Sequence, residues 1–211
     1  MAKNLAFFGA FNPPTLAHLE LARYALEKTG GSQVVFVPSK SVYIHDQQGK
    51  DFAFPDEARL AMLRASAAVR PWMAVTDWEL RRDRQPPTYE TLCHLREEGL
   101  EASLLLGSDK LPELEQGWQH IPEIAREFGI VCLSRGSDDA ARMLREDPFL
   151  RSLGPGIQAL DTPEGMRYIS STRVRALIRG LPGTRAELAP LVAAEIMDDL
   201  EKHIPEGRNS L

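Results

Sequence analysis

Leu5-Ala6-Phe7-Phe8-Gly9-Ala10-Phe11-Asn12-Pro13-Pro14-Thr15-Leu16-Ala17-His18, residues 5–18, is the stretch on which the fold turns. Leu5 to Phe8 would be apolar on both faces of a strand, as in parallel sheets covered by helices on each side. Gly9 ends the run where a side chain would block close approach of an anion to the backbone. Pro13 and Pro14 remove two donors and stiffen the loop. Thr15 has the chemistry of an N-cap, and Leu16 opens a helical pattern that reaches Glu27. A strand, a glycine-led turn and a helix start place free amides where a phosphate can sit. His18, three residues after Thr15, shares its face of the first turn, where an imidazole can bond a phosphoryl oxygen and stabilise charge on a leaving group. The same spacing also suits a plain cap with His18 on the surface. A G-x-G-x-x-G dinucleotide fingerprint and a P-loop Gly-Lys-Ser/Thr are both absent.

Working outward, similar apolar runs occur at Val34–Val37, Ser103–Leu106 and Ile130–Leu133, and Ile157–Leu160 predicts a last strand. Met73–Leu80, mixed with charges, predicts a less buried one. Helical patterns fall between them at Leu16–Glu27, Pro55–Val69, Tyr89–Glu97 and Ile121–Phe128. The alternation predicts an α/β fold, a doubly wound parallel sheet. Arg185–His203 carries Leu188, Leu191, Val192, Ile196 and Leu200 near helical spacing and is expected to cap a single domain spanning 1–211, whose C-terminal helical part covers about 170–205. Gly154-Pro155-Gly156 reads as a turn. Ser39–Asp51, with Lys40, His45 and Lys50, and Arg81–Pro87 read as polar loops after strands, the ligand side of open α/β sheets; solvated connections would have the same composition.

The chain has 211 residues, 43% of them hydrophobic, ample for one core. A formal charge of −5 argues against a protein that wraps nucleic acid through a basic face. Cys93 and Cys132 lie apart in apolar surroundings and are expected to be reduced core thiols. With no signal-peptide pattern and no apolar run near the roughly 18 residues of a membrane span, a cytoplasmic protein without a membrane partner is expected. Composition does not set whether it works alone or as a homo-oligomer.

A second string, Ile169-Ser170-Ser171-Thr172-Arg173-Val174-Arg175, also follows an apolar pair and opens a helix. Hydroxyls and first-turn amides converge there, and Arg175 and Arg179 follow Thr172 on one helical face, where guanidinium groups can clamp phosphate oxygens. A capped helix with a basic exposed face has the same pattern.

The Thr15-x-x-His18 turn resembles the signature of the nucleotidyltransferase superfamily, with Ala17 in place of its commonest glycine and Asn12 where many bacterial members have Asp. Ile-Ser-Ser-Thr-x-x-Arg, about 150 residues further on, resembles that superfamily's second signature. Leu104-Leu105-Leu106-Gly107-Ser108-Asp109, with Trp118 beyond, resembles one branch, the nicotinate/nicotinamide mononucleotide adenylyltransferases. So do Val37-Pro38-Ser39 with Arg59, Leu60, Met62 and Leu63, and Ile130 to Arg135. The resemblance covers nearly the whole length and implies a Rossmann-like nucleotidyltransferase fold. It implies adenylyl transfer from ATP to a pyridine mononucleotide, with Mg²⁺ carried mostly by phosphate and water and no metal-ligating side-chain set; the alternatives are an adenylyl- or cytidylyltransferase acting on another phosphate acceptor such as phosphopantetheine, or a non-catalytic nucleotide-sensing domain. Gly9, Ala10, Phe11, His18, Ile169, Ser170, Ser171, Thr172 and Arg175 would hold ATP, with His18, Thr15 and Arg175 closest to the chemistry. Gly107, Asp109, Trp118, Tyr89, Thr91, Arg135 and Lys50 would hold the mononucleotide. Thr88-Tyr89-Glu90-Thr91-Leu92 is about two residues shorter than the family's segment, which leaves nicotinate against nicotinamide open. His45-Asp46 departs from the family's His-Lys pair, which leaves open whether Lys40 or Lys50 meets phosphate.

Overall fold

The computed structural model describes residues 4–46, 53–163, 171–180 and 185–202. In chain order, β1 (Asn4–Gly9) leads to α1 (Leu16–Thr29), and β2 (Gln33–Pro38) to α2 (Ser41–Asp46) and α3 (Asp56–Ala68). β3 (Met73–Val75) leads to α4 (Thr88–Glu97), and β4 (Ala102–Gly107) passes through a 3-10 turn to α5 (Leu114–Gly117) and α6 (Ile121–Glu127). β5 (Ile130–Leu133) precedes α7 (Ala140–Glu146) and α8 (Pro148–Ser152); β6 (Ile157–Leu160) precedes α9 (Ser171–Gly180), α10 (Arg185–Leu188) and α11 (Met197–Lys202).

All strand pairs are parallel, in the order β3-β2-β1-β4-β5-β6. The chain winds outward to β3 and then returns across the sheet to β4, so the order reverses between β1 and β4. Open α/β sheets bind ligands at the carboxyl ends of such neighbours. Phe7 pairs with Leu105, and two further steps of that register bring Gly9 level with Gly107.

Side chains alternate across the sheet with period two. Ala6, Val35, Val37, Leu104 and Leu106 pack under Leu92, Leu95, Ile121 and Ile124 of α4 and α6. Leu5, Val34, Phe36 and Leu105 pack under Leu19, Ala22, Leu26 and Leu63 of α1 and α3. The central strands therefore bury both faces, each large side chain contributing about 1.5–3 kcal/mol. Short β3 and β6 close the edges, where long exposed strands would invite pairing with other chains.

A third cluster joins Phe54, Ala58 and Met62 to Val174, Ile178, Leu188, Leu191, Val192, Ile196, Met197 and Leu200, so the C-terminal segments cap α3 as expected. They do not form one long helix. Pro190 lacks the N–H needed to continue α10, and the chain turns before resuming at Ala194. Two further expectations need correction. The strand placed at Met73–Leu80 stops at Val75, and the polar loop Ser39–Asp51 contains helix α2. Cys132 is buried, whereas Cys93 is only half-buried; both are free thiols.

Candidate active site

The chain after β1 makes a tight turn in which Phe11 adopts φ 42° and is almost fully buried. A Cβ on Gly9 would lie 3.1 Å from the Phe11 ring, so glycine at this strand end is what lets the ring fold back. The ring meets His18 edge-on at 5.2 Å between centroids. Positive φ at a bulky residue costs free energy, and the aromatic packing of Phe7, Phe11 and Phe36 offsets it. The carbonyls of Gly9 and Ala10 turn into the fold, accepting from the Ser39 amide (3.0 Å) and the Arg59 guanidinium (2.5 Å).

Thr15, with extended backbone, is the N-cap of α1. Its amide donates to His18 Nδ1 at 3.1 Å, and its hydroxyl lies 2.8 Å from the same nitrogen. A backbone N–H can only donate, so Nδ1 is the acceptor and the neutral ring carries its proton on Nε2. Thr15 thus fixes both the orientation and the tautomer of His18. The next amide, Leu16, donates to the Leu191 carbonyl at 2.9 Å, which ties the C-terminal cap to the start of α1.

The second signature packs against the first. Ser171 Oγ donates to the Pro13 carbonyl at 2.8 Å, Arg175 Nη1 donates to the Asn12 carbonyl at 2.8 Å, and Arg175 Nη2 donates to Thr172 Oγ1 at 3.0 Å. Ser171 and Arg175 stand four residues apart on α9, so one helical face reaches the turn twice. Ile169 and Ser170, and the side chain of Arg179, lie outside the described residues, as does Lys50.

Across the crevice, Gly107 ends β4 beside Asp109. A Cβ on Gly107 would meet Asp109 Oδ1 at 2.5 Å and Arg135 Cδ at 3.6 Å. Asp109 Oδ1 lies 3.5 Å from Arg135 Nη1, and the Arg135 amide donates to Ser108 Oγ at 2.9 Å. Burial, reinforced by Asp109 and Asp138, pushes the nearby Cys132 thiol to about 12, so it stays protonated and inert. Trp118 is half-buried on the α4–α6 core.

Tyr89 and Thr91, expected among the residues facing a mononucleotide, direct their side chains elsewhere. The Tyr89 hydroxyl donates to Glu127 at 3.1 Å, with its ring against His120 and Phe128. Thr91 is fully buried and donates to Glu79 Oε1 at 2.7 Å. Lys40, one of two lysines considered for phosphate, places Nζ on the carbonyls of Leu80 (2.8 Å) and Arg82 (2.6 Å).

Two buried charges brace this edge without having stood out as functional in the sequence. Arg59, fully buried, donates to the carbonyls of Ala10, Ser39 and Phe54 and to Asp56. Burial lowers its pKa and Asp56 counters. Its signal lay in register: Arg59 shares a helical face with buried Met62, Leu63 and Ser66. Glu79 sits in the β3–α4 connection, where burial raises its carboxyl to about 7 against the downward pull of Thr91 and Gln85. Among the described residues no group of three or more His, Cys, Asp or Glu is arranged to hold a metal, and no helix is long and apolar enough to cross a membrane. Two open clefts, of about 680 and 690 Å³, lie elsewhere. One borders α1 and Val69–Trp72, the other the starts of β4 and β5.

Residues 6–177 match the model of the cytidylyltransferase-like family. A probable nicotinate-nucleotide adenylyltransferase of Neisseria meningitidis serogroup B is 30% identical over 203 residues, covering 94% of this chain and 97% of its own. A nicotinamide/nicotinic acid mononucleotide adenylyltransferase of Arabidopsis thaliana is 29% identical, covering 82% of this chain and 79% of its own. In fold, the chain resembles the Plasmodium falciparum nicotinic acid mononucleotide adenylyltransferase solved with NaAD, at TM-score 0.71, 16% identity and 94% and 95% coverage. The chain belongs to the cytidylyltransferase-like family and, within it, to the nicotinate/nicotinamide-nucleotide adenylyltransferases.

Proposed function

We propose that this protein transfers AMP from ATP to nicotinate or nicotinamide mononucleotide, forming the dinucleotide and pyrophosphate. The observation that carries this reading is the contact of the two signature turns, Ser171 and Arg175 on the carbonyls of Pro13 and Asn12, in the loop that leads into the Thr15–His18 cap of α1. A phosphate monoester is already nucleophilic at neutral pH, so neither a general base nor a covalent enzyme intermediate is needed. An acceptor phosphate oxygen attacks the α-phosphorus in line. A new P–O bond forms as the bond to the bridging oxygen breaks, and the electron pair leaves with pyrophosphate.

Catalysis then rests on alignment and charge stabilisation. His18 Nε2–H donates to the phosphoryl oxygens, Thr15 holds that imidazole in the donating tautomer, and Ser171, Thr172 and Arg175 receive the departing pyrophosphate. The turn at Gly9, Ala10 and Phe11 lies by the α-phosphate. Ile169 and Ser170 belong to the same triphosphate site by family pattern. Asp109, Gly107, Arg135 and Trp118 serve the mononucleotide, and Lys50 and the backbone at Tyr89 and Thr91 belong to that side. Mg²⁺ arrives with ATP as part of the substrate, neutralising phosphate charge through phosphate and water oxygens. Free thiols accord with a cytoplasmic setting.

The test is pyrophosphate release from MgATP offered nicotinate mononucleotide, nicotinamide mononucleotide, phosphopantetheine and glycerol phosphate in parallel. Release with one or both mononucleotides is expected. Release confined to either of the other acceptors, or none with any, would overturn the assignment.

A further inference from the structure

The elements on the two faces of the sheet meet at the crevice between β1 and β4. The paired turns belong to the face of α1, α3 and α9, and the opposite face presents the start of α4 with the ends of β4 and β5. The start of α4 is reached through residues 76–87, a connection rich in charge that would be expected to move. It is held instead at several points. Thr76 continues the β2 pairing, its amide donating to the Phe36 carbonyl at 3.1 Å. Trp78 stacks on His94 at 4.6 Å, with the Arg82 guanidinium 4.5 Å over the same indole. Lys40 Nζ binds the carbonyls of Leu80 and Arg82.

At the centre lies a hydrogen-bond chain with a single direction. The Lys40 amide donates to Gln85 Oε1 at 2.9 Å, Gln85 Nε2 donates to Glu79 Oε2, and the Thr91 hydroxyl donates to Glu79 Oε1 at 2.7 Å. Only an acceptor at position 79 can end this chain from both sides. It links Lys40, two residues past β2, to the first turns of α4, and Ser39, next to Lys40, is tied through Arg59 to Ala10 of the turn after β1. A displaced substrate group of even about 1 Å lowers rate or affinity steeply, so such a frame has a functional reason to be rigid.

We propose that Glu79, acting through Gln85 and Thr91, is a positioning residue for acceptor binding: it sets the start of α4 and its approach against the crevice while touching neither substrate. This rests on the functional reading above. It predicts a split between the two substrates that a general loss of folding would not produce.

The experiment measures KM for each substrate and kcat for Gln85→Ala, Glu79→Met and Thr91→Val, with Thr91→Ser as the conservative variant. In Glu79→Met both carboxylate oxygens are gone while the side-chain length is kept, so neither Gln85 nor Thr91 finds its acceptor. KM for the mononucleotide should rise about tenfold in the first three, the equivalent of about one lost hydrogen bond, with KM for ATP and kcat within about twofold. Thr91→Ser should restore it. An acceptor KM within twofold of wild type in Gln85→Ala and Glu79→Met, or an ATP KM rising by the same factor, overturns the proposal. If wild-type protein releases no pyrophosphate with either mononucleotide, the functional reading falls with it; normal wild-type turnover with unmoved acceptor KM removes this inference alone.

Discussion

Arg59 and Glu79 are the buried charged side chains among the described residues, and they answer burial in opposite ways. Arg59 meets a carboxylate and three carbonyls, so nearly every face of the guanidinium has an acceptor. Glu79 meets the neutral hydroxyl of Thr91 and the neutral amide of Gln85. An ion paired with opposite charge keeps its charge in a low-dielectric site, whereas one held by neutral dipoles drifts toward neutrality. The turn after β1 is therefore braced by a permanent charge, the approach to α4 by one that titrates near pH 7.

The largest effect should come from removing the permanent charge. Arg59→Met takes the guanidinium from Asp56, which retains the Ser41 amide, and from the carbonyls of Ala10, Ser39 and Phe54, and should cost about 3–5 kcal/mol in urea unfolding. A loss below about 1 kcal/mol would mean the clamp is not what holds the turn.

Next comes pH. The Glu79 carboxyl titrates near 4.5 when exposed and near 7 when folded, so between those values the native state holds more protons than the unfolded one. The stability tied to this group is fully present below about pH 4.5 and lost as pH rises through 7, a swing of about 3 kcal/mol. Other carboxylates act in the opposite sense, so the readout is wild type minus Glu79→Gln in denaturant unfolding at pH 5 and pH 8. That difference should favour wild type more at pH 5. A pH-independent difference would place Glu79 among ordinary surface carboxylates.

Gly107→Ala probes the end of β4 without touching a buried charge. Its Cβ would meet the mobile end of Asp109, so the side chain turns away, acceptor KM rises about tenfold and the melting temperature shifts by no more than about 2 °C. Smallest of all, Arg23→Ala removes an exposed i,i+4 pair with Glu27 and should cost about 0.3–0.5 kcal/mol, a floor for the others.

How these two residues escaped notice shows where sequence reading succeeds and fails. The central strands were legible because they are apolar on both faces, and α1, α3 and α4 because each is long enough to show a period. Helices of four to seven residues, such as α2, α5 and α7, are shorter than two turns, so no periodicity marks them. Thr15 and His18 were legible because one helical turn fixes their geometry locally. Arg59 was quoted only as part of a pattern, since a lone arginine on a helix usually faces water. Glu79 was hidden by the alternation Asp77-Trp78-Glu79-Leu80, which reads as a strand with charges outward. The chain instead leaves the sheet after Val75, and that departure buries the carboxylate. The side-chain directions of Tyr89 and Thr91 were not legible for a related reason: a motif names residues, but long-range partners such as Glu127 and Glu79 decide where side chains point.

The central claim is that two turns remote in sequence grip one triphosphate, with the Thr15-oriented imidazole as donor to it. It is tested most directly by turnover of His18→Ala beside its thermal melt. In His18→Ala, kcat should fall by at least about 10²- to 10³-fold, the usual effect of losing one transition-state donor, while the melting temperature drops by only about 2–4 °C for the lost cap bond to Thr15. Near-normal turnover in a folded His18→Ala protein would contradict it.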